Sequence, residues 1–102
     1  MNKKQLFVQL QKGLCEWDPM DLVSLTTSNE YNIECEAIVS KIHADMGVFE
    51  VATIIRNTLV ASFGTLLPAT KTEIENTGYL READGEFSRR CISLARDIRI
   101  SV

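Results

Sequence analysis

Residues 48–63 read VFEVATIIRNTLVASF and are bracketed by Gly47 and Gly64. At about 3.6 residues per helical turn, Val48, Val51, Ala52, Ile55, Leu59 and Phe63 fall on one face. Phe49 and Val60 widen that face to about half the circumference, beyond the ~100° of an ordinary surface helix. Glu50, Thr53 and Asn57 remain as a polar strip, while Ile54 and Ala61 sit on the back. A helix this apolar needs several neighbours, a partner chain, or both.

The rest of the chain supplies neighbours. Leu6, Leu10 and Leu14 recur every fourth residue, joined by Phe7, and predict a first helix over about 3–15. Val8 lies off that stripe. Pro19 cannot continue a helix and biases Asp18 toward extended backbone, so the helix is expected to end before Trp17-Asp18-Pro19. Asp18 is then a candidate cap for a short turn over 19–23. A second helix is expected over about 29–46, capped by Ser28 or Asn29, with Tyr31, Cys35, Ile38, Val39, Ile42 and Met46 as its stripe. Gly47 would close it in a left-handed turn, and the short link makes the second and third helices an antiparallel pair.

After Gly64 the segment 65–70, with Pro68, is a connection, and 71–77 has room for one or two helical turns before Gly78. A last helix is predicted over about 84–100. Asp84 is its cap, Phe87, Cys91, Leu94, Ala95 and Ile98 its inner stripe, and Arg96 and Arg99 lie near its negative end. No strand alternation appears. The expected architecture is an all-α single domain, a compact bundle of three to four main helices.

A chain of 102 residues with 45% hydrophobic and 25% charged residues can bury one core and no more. No apolar run reaches the ~20 residues that span a bilayer, and polar residues interrupt the start where a signal peptide would be apolar. A cytoplasmic protein without membrane association is expected. The net charge is −3, but it is unevenly spread. No lysine or arginine lies between Lys12 and Lys41, where Glu16, Asp18, Asp21, Glu30, Glu34 and Glu36 fall. The chain from Arg81 onward is nearly balanced, and Glu86 and Asp97 dilute the face carrying Arg89 and Arg96. Nucleic acid needs a concentrated basic face, so it is not an expected partner.

Trp17-Asp18-Pro19, followed by Glu30-Tyr31, is the most distinctive constellation. With Leu14 before it and Phe63-Gly64 closing the third helix, it resembles a family of small bacterial proteins, the domain-of-unknown-function family numbered eighteen seventy-one. That family shares a Trp-Asp-Pro corner and a following Asp-Glu-Tyr. The resemblance spans residues 6–64 and departs at Asn29, where the family's first acid is usual. It implies a compact helical fold and brings no established activity.

Physically the corner has two readings. Trp17 can cover the core, with Asp18 capping backbone donors and Tyr31 burying its ring while its hydroxyl stays at the surface. Alternatively, Trp17 and Tyr31 form an exposed patch ringed by acids, a binding hot spot for another protein. The candidate contact set is Trp17, Asp18, Asp21, Glu30, Tyr31 and Glu34, and the partner is a protein of basic character. An immunity-type role, covering a basic nuclease toxin, suits the size and charge layout. The alternative is a homo-oligomeric structural or divalent-cation-binding helical protein, with Ile54 and Ala61 at a homodimer contact.

Chemistry has little to build on. Cys15, Cys35 and Cys91 form no CxxC pair and read as buried free thiols. His43, the only histidine, flanks the second helix two turns from Cys35. No catalytic residues, metal ligands or cofactor are therefore expected, and the acids show no EF-hand or Glu-x-x-His spacing.

Overall fold

The structure, a computed structural model, describes residues 3–20, 31–43, 45–75, 78 and 85–101, the last three by backbone alone. It is all-α: α1 (Lys3–Trp17), α2 (Asn32–Lys41), α3 (Val48–Phe63), a 3-10 turn (Gly64–Leu66), α4 (Lys71–Glu75) and α5 (Glu86–Ser101). The main packing runs in a ring, α1 on α2, α2 on α3, α3 on α5 and α5 on α1. The thinnest dimension of 18 Å holds two layers of helix, whose axes ordinarily lie ~8–10 Å apart.

Each amphipathic stripe turns inward. Leu6, Leu10 and Leu14 are buried from α1, and Tyr31, Cys35, Ile38, Val39 and Ile42 from the α2 segment. Val51, Ala52, Ile55 and Leu59 come from α3, and Phe87, Cys91, Leu94, Ala95 and Ile98 from α5. α3 is covered chiefly by α2 and α5, with α1 packing across those two. Its broad apolar face is narrower in practice. Phe49 is exposed, Val48, Val60 and Phe63 are half-buried, and the back residue Ile54 also packs against the core. Ala61 is exposed. Thr53 and Thr58 return their hydroxyls to the Phe49 and Ile54 carbonyls, both at 2.8 Å, which lets them sit within the helix without outside partners.

α3 begins and ends where the two glycines bracket it. Gly64, at φ 53° and ψ −129°, holds backbone that a side chain resists, and its N–H caps the Val60 carbonyl. Gly47 has a different place from the one expected, because it opens α3 in extended backbone rather than closing α2. α2 stops at Lys41, and Ile42 turns extended while keeping only 3% exposure. Tertiary burial of Ile42, with no helix-breaking residue nearby, ends this helix early. The caps expected at Ser28, Asn29 and Asp84 lie outside the described residues.

α1 runs two residues further than the proline suggested. Its end is fixed at Asp18, which adopts left-handed backbone at φ 48° instead of an extended conformation. Its N–H still reaches the Leu14 carbonyl at 2.7 Å, so the helix gains one more backbone bond before Pro19 removes the next donor. Aspartate is among the few side chains that tolerate this conformation.

Candidate functional site

Three places in the fold carry polar or exposed groups that packing alone does not require. The first is the Trp17-Asp18 corner. Trp17 is half-buried and its ring lies 5.5 Å from that of Phe87 on α5. Tyr31 has no exposed surface, and its ring meets Phe63 edge-on at 6.2 Å. The Tyr31 hydroxyl is also inside, donating to Asp18 Oδ1 at 2.7 Å and accepting the Met20 N–H at 3.1 Å. Burial, reinforced by the Asp18 carboxylate, pushes the phenol pKa upward. The corner thus ties the end of α1 to the start of α2, assisted by Gln11 donating to Asn32 at 2.8 Å. An exposed Trp17–Tyr31 patch is not formed, because the tyrosine is wholly enclosed. Asp21 and Glu30 lie outside the described residues.

The second place was not visible to periodicity. Glu73, on the short helix α4, is 2% exposed. One carboxylate oxygen accepts the Thr70 N–H at 3.0 Å while Thr70 Oγ1 accepts the Glu73 N–H at 3.1 Å, a reciprocal capping box. The other oxygen accepts the Ser88 N–H at 2.7 Å and the Ser88 hydroxyl at 2.6 Å, so the same carboxylate caps α5. Burial alone would raise this carboxyl, but the hydrogen bonds from Ser88 and Thr70 outweigh it and hold it below its ordinary 4.5. Gly85 makes room: a Cβ there would stand 2.6 Å from Glu73 Oε1. Arg56 of α3, 1% exposed, donates to the Gly78 carbonyl 22 residues further along the chain and to Asn57 Oδ1 at 3.2 Å. Thr70-x-x-Glu73 was a readable signal for the cap. Arg56 had a weaker one, as a charge in helical phase with Ala52.

The third place is the end of the bundle where α2 begins and α3 finishes. Ile33 is 79% exposed and Leu66 75% exposed. The start of α2 meets the end of α3, where Tyr31 touches Phe63 and Glu34 is hydrogen-bonded to Ser62; Ile33 lies on the side of α2 away from its buried residues, and Leu66 in the turn after α3. Ala61, Ser62 and Thr65 are exposed there as well. Glu34 is 6% exposed, and burial raises its carboxyl above 4.5 despite hydrogen bonds from its own N–H and from Ser62.

The remaining titratable candidates are dispersed. His43 is exposed in the α2–α3 connection, Cys35 and Cys91 are buried, and Cys15 is half-buried. Burial, with Cys15 and Glu34 adding to it, pushes the Cys35 thiol up to about 12, and burial pushes Cys91 up too. Among the described residues no three His, Cys, Asp or Glu side chains gather as metal ligands would. No helix among them is long and apolar enough to cross a membrane.

No family model matches the chain, and comparisons with curated proteins and with solved structures also give no match.

Proposed function

We propose that this chain is a non-catalytic protein-binding module of the bacterial cytoplasm whose contacts use the exposed apolar side chains Ile33, at the start of α2, and Leu66, after α3. The observation that carries this is their exposure, 79% and 75%, the largest among the described residues, where Val8 at 52% and Phe49 at 38% are the other exposed large apolar side chains. Two such side chains in water gain on burial by another molecule, at about 25 cal/mol per Å² of apolar surface. A non-catalytic role is supported by the cysteines: thiols held far above neutrality are poor nucleophiles, and the single histidine is exposed elsewhere. Three free thiols suit a reducing compartment. The contact is moved from the Trp17–Tyr31 corner because an enclosed tyrosine offers a partner nothing, and Asp18 already takes its hydroxyl. We also propose an immunity-type role, and membership of family eighteen seventy-one on the strength of Trp17-Asp18-Pro19 and Glu30-Tyr31.

The test is recovery of partners from the source cell with wild type and with Ile33→Asn/Leu66→Asn. The variant is expected to keep its helical circular dichroism and melting temperature and to lose the partner, whereas equal recovery would overturn the proposal. Homo-oligomerisation through Ile54 and Ala61 is the competing reading, and Ala61, exposed on α3, favours it. Sedimentation across a range of concentrations decides it: a monomer throughout removes the homodimer.

A further inference from the structure

α1 and α2 are tied to each other at two points. Gln11 donates to Asn32 Oδ1 at 2.8 Å, and the Tyr31 hydroxyl donates to Asp18 Oδ1 at 2.7 Å. Cys15 lies between these ties on α1, four residues after Gln11 and three before Asp18, so it shares their face. Cys35 stands at the same spacings after Tyr31 and Asn32, and its N–H closes that turn on the Tyr31 carbonyl at 2.9 Å. Each helix therefore turns one thiol toward the seam between them. Cys15 also adds to the upward shifts of both Cys35 and Tyr31, as a neighbouring charge does.

The two thiols differ in access. Cys15 is half-buried and lines an open groove with Val8, Gln11, Lys12 and Glu16. Cys35 has no exposed surface, and its burial keeps it a thiol at neutral pH. A small oxidant meets the first before the second. Cys91 is enclosed as well, but on α5, where Arg56 and Glu73 are the charges that act on it.

We propose that Cys15 and Cys35 form a redox pair, a modification site at which a peroxide converts two thiols into one disulfide joining α1 to α2. The Cys15 sulfur attacks one oxygen of hydrogen peroxide and the O–O bond breaks. Cys15 becomes a sulfenic acid, and the other oxygen leaves with the thiol proton as water. The Cys35 sulfur then attacks the Cys15 sulfur, the S–O bond breaks, and the hydroxyl leaves with the Cys35 proton as a second water. Two electrons pass from the thiols to the peroxide, and exchange with a dithiol reductant restores the pair. The link belongs to oxidising stress, the transient use that disulfides have in a reducing compartment.

The experiment is a map of cysteine states in reduced full-length protein exposed to hydrogen peroxide, in native buffer and in urea. Remaining thiols are alkylated, and the protein is digested and weighed without reduction. In native buffer the wild type is expected to give a peptide pair joined through Cys15 and Cys35, with Cys91 alkylated only after unfolding. Dithiothreitol should abolish that pair. Cys35→Ala should stop at the Cys15 sulfenic acid, captured by dimedone, while Cys91→Ala should form the pair as the wild type does. Wild-type Cys15 collecting as sulfenic or sulfinic acid, or linking two chains, with Cys35 still a thiol would overturn the proposal. So would a Cys15–Cys35 link found only in urea, since the unfolded chain and not the fold would then bring the sulfurs together. An unreacted Cys15 would overturn it too.

Discussion

Two glutamates, both almost out of water, have been given opposite problems by the same fold. Glu73 is the deeper at 2% exposure, yet its carboxyl lies below the ordinary value, while Glu34 at 6% lies above it. Depth does not decide the direction. Glu73 accepts three bonds of 2.6–3.0 Å at the beginnings of two helices, where unpaired backbone N–H groups and the helix dipole both favour negative charge. Glu34 lies in the first turn of α2, but its donors do not offset its burial. One carboxylate is therefore satisfied within the chain and serves as a structural pin. The other is enclosed with donors that do not offset its burial.

The comparison can be strained first at the pin. Glu73→Ala removes both caps and leaves the Ser88 N–H enclosed, for an expected loss of about 3 kcal/mol, or roughly 15 °C in melting temperature for a domain this size. A loss no larger than that of a single exposed cap would mean that α5 does not depend on it. Tyr31→Phe should cost about 2 kcal/mol, because Met20 N–H and Asp18 lose a shared enclosed partner. Urea denaturation of that variant checks whether the corner is as structural as the Glu73 pin.

Acidity gives a sharper contrast. Because the folded pKa of Glu73 is lowered, its stabilisation is complete above the unfolded value near 4.5 and disappears as pH falls through the folded value. Glu34 runs the other way. Its folded pKa is raised, so its contribution is fully present below 4.5 and is lost as pH rises through the folded value. In urea titrations, Glu34→Gln should therefore gain on wild type at neutral pH and lose that advantage as the pH falls below 4.5. Glu73→Gln should be most damaging at neutral pH and nearly harmless in acid. The smallest effect is expected from Thr70→Ala, about 1 kcal/mol, since it removes only half of the capping box. Parallel pH profiles for the two glutamine variants would erase the distinction.

These differences bear on what could be read from residues alone. Repeats of apolar residues at helical spacing identified four stripes that do form the core, and α3 has the bounds its bracketing glycines suggested. The end of α2 was not legible, because Ile42 leaves the helix in order to stay buried in extended backbone. Trp17-Asp18-Pro19 with Tyr31 was recognisable as a constellation, but its local chain chemistry could not say that the tyrosine hydroxyl points inward. Glu73 and Ser88 meet across 15 residues. Only the Thr70-x-x-Glu73 half of that arrangement is written locally, and the exposed Ile33 and Leu66 had no periodic pattern to mark them. Tertiary contacts decide all of these.

The most direct measurement is a carbon-detected NMR titration of the glutamate carboxyls in wild-type protein, with Glu34 and Glu73 assigned through their glutamine variants. Glu34 is predicted to titrate above 4.5 and Glu73 below it in the same sample. A Glu34 carboxyl titrating at or below Glu73 would contradict the account, since the donors around Glu34 would then offset its burial as those around Glu73 do.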